Sequence, residues 1–170
     1  MIKNYILLVI LCFGNQLYAQ EMESEIFDTL KRKSYDYLFE RIEATAENKV
    51  NQAYYLKYFL NKAKKDKNFE EIVNGYKNYL FYAPEKSKLI YADSMIYTAK
   101  KANNNDLIGS AYLSKGIVYY ARKEHKNALD NYLIADNFIS KTNDKYLVYK
   151  VKYNIAIIKY FLGFYDEAIS

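Results

Sequence analysis

Residues 112–135 read YLSKGIVYYARKEHKNALDNYLIA, and the placement of small and aromatic residues in this stretch settles the fold class. Tyr112, Gly116 and Tyr119 stand at i, i+4 and i+7, which puts them on one face of a helix. Twelve residues after Gly116 comes Ala128, followed by Tyr132 and Ala135 at the same i, i+4, i+7 spacing. The small side chains of Gly116 and Ala128 let two helices approach closely. The rings of Tyr112, Tyr119 and Tyr132 fill the space around that contact. The break between the two helices falls at Glu124-His125.

Outward from this hairpin the helical period continues in both directions, interrupted by polar clusters. It predicts helices over 34–45, 50–65, 69–83, 85–102, 106–123, 126–141 and 146–162, with a short one from Asp166. Pro84 suits the first turn of a helix, and Asp106, after the run Asn103-Asn104-Asn105, suits an N-cap. Thr142-Asn143-Asp144 and Glu47-Asn48-Lys49 punctuate the remaining junctions. Ala63, Ala99 and Ala135 recur every 36 residues in the second helix of successive pairs. Such a period marks one helical hairpin used several times, each burying its apolar side against the next. The expected pairs are 34–68, 69–105, 106–144 and a partial 145–170, after a polar lead-in over 20–33.

Composition agrees. The 170 residues include one Pro and five Gly, too few for a protein built on hairpins and sheets. Hydrophobic residues make up 51% and charged residues 26%, which argues against disorder. Tyr, at 21 residues, outnumbers Phe, at 9, and Trp is absent. Tyrosine buries a ring while its hydroxyl stays at water, as thin two-layer helical arrays require. The formal charge of +5 is spread along the chain, a weak bias toward acidic partners and no footprint for nucleic acid.

The first nineteen residues have a different character. Lys3 precedes a nine-residue apolar run, Tyr5 to Phe13, and Leu17-Tyr18-Ala19 follows. This layout is that of a secretory signal peptide cleaved after Ala19, so the chain is expected in the periplasm or at the cell surface. The apolar run is well short of the roughly 20 residues of a spanning helix. The bulky Leu11 before Cys12 departs from the lipoprotein pattern. With Cys12, the one cysteine, inside the segment removed, the mature protein is expected to have no disulfide and no thiolate ligand.

The order aromatic, small, Tyr, then Ala, aromatic, Ala over Tyr112–Ala135 resembles the tetratricopeptide repeat. Ala156, with Gly163, Tyr165 and Ala168, resembles a second copy, 40 residues on from Gly116 and Ala128. Departures are visible: Lys123 and His125 replace the usual turn Gly and Tyr, Lys152 and Lys159 sit where aromatics are usual, and Leu80 replaces a small residue. The resemblance covers residues 70–170 and implies an all-α, right-handed α-solenoid of antiparallel helix pairs, its last repeat incomplete. It is shared with exported tetratricopeptide proteins of the Bacteroidetes, many of which continue into a membrane helix and a helix-turn-helix domain. By that resemblance the chain is a truncated version of something longer, or completes its core with a partner.

Catalytic chemistry finds no constellation. His125 is the one histidine and sits at an inter-helix turn beside Lys126. Glu70-Glu71 and Asp166-Glu167 stand at helix N-termini, where acids oppose the macrodipole. Lys31-Arg32-Lys33 and the cluster Lys62, Lys64, Lys65 read as solvated ends. No phosphate loop, zinc spacing or serine elbow occurs. No enzyme, cofactor or metal is expected. The resemblance implies a protein-binding groove lined by the first helices, here Lys77, Phe81, Leu113, Ile117, Tyr120, Tyr153, Ile157 and Tyr160. That groove would be apolar and tyrosine-rich, without the family's Lys and Asn clamp for a peptide terminus, and would take a helix or extended segment. The other expectation is the sensor region of a membrane-anchored transcriptional regulator whose membrane helix and DNA-binding part are absent from this chain.

Overall fold

A computed structural model of the chain describes residues 29–140 and 142–169, and among these the protein is helical with no strand. The expected signal peptide, with Lys3 and Cys12, lies outside the described residues, as does most of the 20–33 lead-in. Eight helices follow one another: α1 (Tyr35–Ala44), α2 (Lys49–Lys65), α3 (Phe69–Tyr82), α4 (Glu85–Ala102), α5 (Asn105–Ala121), α6 (His125–Ile139), α7 (Lys145–Phe161) and α8 (Tyr165–Ile169). The boundaries expected from the sequence differ from these by two residues at most.

Side-chain caps explain where the helices begin. Ser34, Asn68, Asn104 and Asp144 each accept a backbone N–H three residues on, from Tyr37, Glu71, Leu107 and Leu147. Each occupies one of the N–H groups that a helix start leaves orphaned. The cap of α5 is therefore Asn104 and not Asp106, which lies in the first turn and faces the dipole instead. Pro84 precedes α4 with φ −56°, a value its ring imposes.

Three turns share one geometry. Lys67, Lys123 and Gly163 have φ of 54°, 61° and 84°, and the next residue's N–H reaches back across the helix end. These bonds run from Asn68 to the Ala63 carbonyl, from Glu124 to Tyr119 and from Phe164 to Lys159, at 3.1, 3.0 and 2.9 Å. This is the left-handed C-terminal cap, which glycine adopts freely and lysine only at a cost of about 1 kcal/mol.

The chain divides into two compact units, residues 1–58 and 59–170. In the first, Leu38 and Ile42 of α1 are wholly buried one turn apart. The Gln52 amide donates to the Ile42 carbonyl at 3.3 Å, and the Arg41 guanidinium lies 5.4 Å from the Tyr55 ring centre.

In the second unit each helix from α3 to α8 packs on its neighbour in the chain, most extensively α3 on α4 and α5 on α6. Alternate helices also meet, α3 with α5 and α5 with α7. One core cluster gathers Val73, Met95, Ile96, Ala99, Ile108 and Ala111. A second gathers Leu113, Ala128, Tyr132, Ala135, Ile139, Val151 and Ile158. Tyr112 packs against both and stacks on Phe138, rings 4° from parallel.

The α5–α6 contact is built around absent side chains. A Cβ on Gly116 would lie 2.4 Å from the Tyr132 ring, and one on Gly109 would lie 2.2 Å from Ile139. Tyr132 is 1% exposed and its hydroxyl has no hydrogen-bond partner. Burying the ring contributes about 2 kcal/mol, and the stranded hydroxyl offsets roughly 1–3 kcal/mol of such a gain. Burial also pushes the phenol far above its ordinary range, with a smaller contribution from Tyr120.

Polar ties run along the outside. Arg122, at the end of α5, pairs with the Glu85 carboxylate at 2.9 Å, and Lys115 with Asp93 at 2.7 Å, both joining α5 to α4. As exposed pairs these fix register more than they stabilise.

Candidate binding face

The α7 helix has two unlike sides. Val151 and Ile158, seven residues apart, are wholly buried, with Leu147, Val148 and Ile155 packed around them. On the opposite side Tyr146, Tyr149, Tyr153 and Tyr160 are between 61% and 73% exposed. At 100° per residue these four positions fall within a sector of about 60°, so they form a stripe. The half-buried Ile157 and Lys150 lie on the same sector or its border. Four exposed tyrosines on one helix face exceed the scattered apolar exposure normal for a surface.

Beside this stripe α5 presents Ile117 and Tyr120, both partly open to solvent. Tyr120 with Tyr153, Ile157, Tyr160 and Phe161 lines an apolar recess of about 430 Å³. Rings continue past it in a chain. His125 lies 6.1 Å from Tyr120 and 5.2 Å from Phe161, and Tyr160 lies 6.0 Å from Phe161 and 5.4 Å from Tyr165. His125 is thus an aromatic packing residue at the first position of α6, half-buried between rings.

On α3, Phe81 is 73% exposed and Lys77 is also open to solvent. The surrounding protein desolvates the Lys77 ammonium and lowers its pKa, and the like charge of Lys150 lowers it further. The reach of Lys150 to Lys77 puts α3 and α7 on a common face. Lys150 itself lies over the Tyr146 ring, 5.6 Å from its centre.

Of the eight residues expected to line a groove, seven are at least partly open to solvent: Lys77, Phe81, Ile117, Tyr120, Tyr153, Ile157 and Tyr160. Leu113 is not on the surface. It is 3% exposed and belongs to the second core cluster, because α5 has α3, α4, α6 and α7 around it and buries more than one stripe. Tyr146, Tyr149 and Lys150 extend the face beyond that expectation, and their spacing from Tyr153 was the available signal.

The expected packing residues divide the same way. Gly116, Ala128, Tyr132 and Ala135 are buried together, with Tyr112 and Tyr119 packed at their edge. In the later copy Ala156 and Ala168 are only half-buried and border the recess. Gly163 has no heavy atom within 4 Å of a built Cβ and serves a left-handed turn instead. Tyr165 is 58% exposed, its ring against Tyr160.

Among the described residues no group of three or more His, Cys, Asp or Glu side chains is placed to hold a metal ion. No described helix is long and apolar enough to cross a membrane. Comparison of the chain with family models, with curated proteins and with solved structures finds no match.

Proposed function

We propose that this chain is an exported, non-enzymatic interaction protein of tetratricopeptide type, which binds a peptide or protein segment on the face formed by α3, α5 and α7. The observation that carries this reading is the stripe Tyr146, Tyr149, Tyr153 and Tyr160 beside the recess under Tyr120. Tyrosine suits recognition because it offers a large rigid contact area at low entropic cost, with a hydroxyl to satisfy a partner's backbone. The contacts of α3 with α5 and of α5 with α7 support a solenoid of helix pairs, in which the first helices of the pairs make one wall. The repeated turn at Lys123 and Gly163, 40 residues apart, supports a common repeat unit.

The test is a selection of short random peptides displayed against the full chain. Binders are expected, and they are expected to fail on a Tyr149→Ser/Tyr153→Ser variant, whose changes lie outside the core. Binders that hold equally well to that variant, or a selection without any, would remove the reading.

A further inference from the structure

Most cations around the second unit that meet an acid do so closely: Lys62 with Asp66, Lys115 with Asp93, Arg122 with Glu85 and Lys159 with Glu167, all within 3.0 Å. Lys77 and Lys150 differ. Neither has an ion pair among the described residues, yet they stand near enough for one charge to act on the other. Two ammonium groups converging without an anion repel each other, and a bound carboxylate between them relieves that repulsion. What surrounds them is aromatic: Tyr146 under Lys150, Tyr149 and Tyr153 beside it, and Phe81 one turn beyond Lys77.

Resting on the reading above, we propose that the segment bound on this face is acidic, with one carboxylate side chain held between Lys77 and Lys150 and apolar neighbours laid on the tyrosines. The charge pattern selects a peptide over a polyanion. Glu70 lies seven residues before Lys77 and Asp106 eleven before Ile117, so both stand on the same helix sides, toward their N-terminal ends. They would repel a phosphate backbone or an anionic lipid sheet, whereas a single acid among apolar residues meets the two lysines and avoids both carboxylates.

The displayed-peptide selection reads this directly. Peptides selected on the full chain are expected to be enriched in Asp or Glu next to Leu, Phe or Tyr. Their affinity is expected to fall about tenfold or more in Lys77→Glu/Lys150→Glu, and repeat selection on that variant is expected to favour Lys and Arg. Lys77→Gln/Lys150→Gln serves in its place if circular dichroism shows the first variant unfolded. Selected peptides without acidic enrichment, or unaffected by both lysine variants while lost on Tyr149→Ser/Tyr153→Ser, would overturn the acidic partner and leave the tyrosine face standing. Absence of any binder would overturn both. Vesicles of phosphatidylglycerol that bind through the two lysines when acidic peptides do not would assign the pair to a lipid surface and overturn the proposal as well.

Discussion

Tyr132 lies across Gly116 so closely that a methyl group there would fall 2.4 Å from Cε1 and 2.5 Å from Cδ1 of the ring. The ring is 1% exposed, and its body rather than a flexible tip would meet the added carbon. Alanine gains about 1 kcal/mol over glycine in a helix interior, but overpacking a tight core loses about 1–3 kcal/mol. Gly116→Ala is therefore expected to destabilise and Gly116→Leu to do so more, read as a lower urea midpoint. An unchanged or raised midpoint would show that α5 and α6 do not meet at this residue.

Gly109 makes the same contact one heptad earlier. Its missing Cβ is replaced by Ile139, whose Cγ1 would lie 2.2 Å away, with the Ala135 carbonyl oxygen at 3.1 Å. Gly109→Ala is expected to cost about 1–3 kcal/mol. Ile139→Ala, costly by itself at about 2–5 kcal/mol, removes the clashing atoms. The double variant should be clearly more stable than the two single losses summed. Strict additivity in the cycle would contradict the contact.

The buried Tyr132 hydroxyl offers an opposite kind of test. Because it has no hydrogen-bond partner, Tyr132→Phe removes a stranded polar atom and keeps the ring. Stability is expected to stay level or rise by about 1 kcal/mol. A clear loss in the urea titration would reveal a partner for that oxygen.

Capping separates two adjacent candidates for the start of α5. Asn104 accepts the Leu107 N–H at 3.1 Å, and Asp106 only faces the first turn. Asn104→Ala is expected to cost about 1 kcal/mol and Asp106→Ala under about half of that. The reverse ranking by thermal denaturation would move the cap.

Acid should release the α4–α5 tie. The hydrogen bond from Arg122, then that from Lys88, holds the Glu85 carboxylate below its ordinary 4.5. A folded value below the unfolded one means the contribution is present above about pH 4.5 and fades as pH falls through the lowered value. Glu85→Gln is expected to melt earlier than wild type at about pH 6 and to converge with it at about pH 3. Parallel melting curves across that range would dismiss the pair as a contributor.

The helices and their limits were legible because their causes are local. Asn68 and Asp144 precede periodic segments and cap them, and Pro84 stops one helix and starts the next. The Gly116–Ala135 hairpin was legible too, since a small residue opposite a large one at fixed spacing leaves few other partners. Gly109 was equally readable, seven residues before Gly116 on the same side, and carries the tighter contact. Leu113 was read as surface because it shares a helix side with Ile117 and Tyr120. Spacing alone does not reveal how many neighbours a helix will have.

Taken alone, the order of residues determined that the described chain is all helix, where each helix begins and ends, and which small residues allow two of them to touch. Hydrogen bonding along a helix and its 3.6-residue turn act within a few residues, so those outcomes are encoded within short windows. Only the tertiary structure decided that Leu113 is core, that α7 turns four tyrosines outward, and that Lys77 and Lys150 face one another from helices far apart in the chain. Those outcomes depend on which surfaces remain uncovered after α5 is enclosed by its neighbours, and that is a property of the packed helices together.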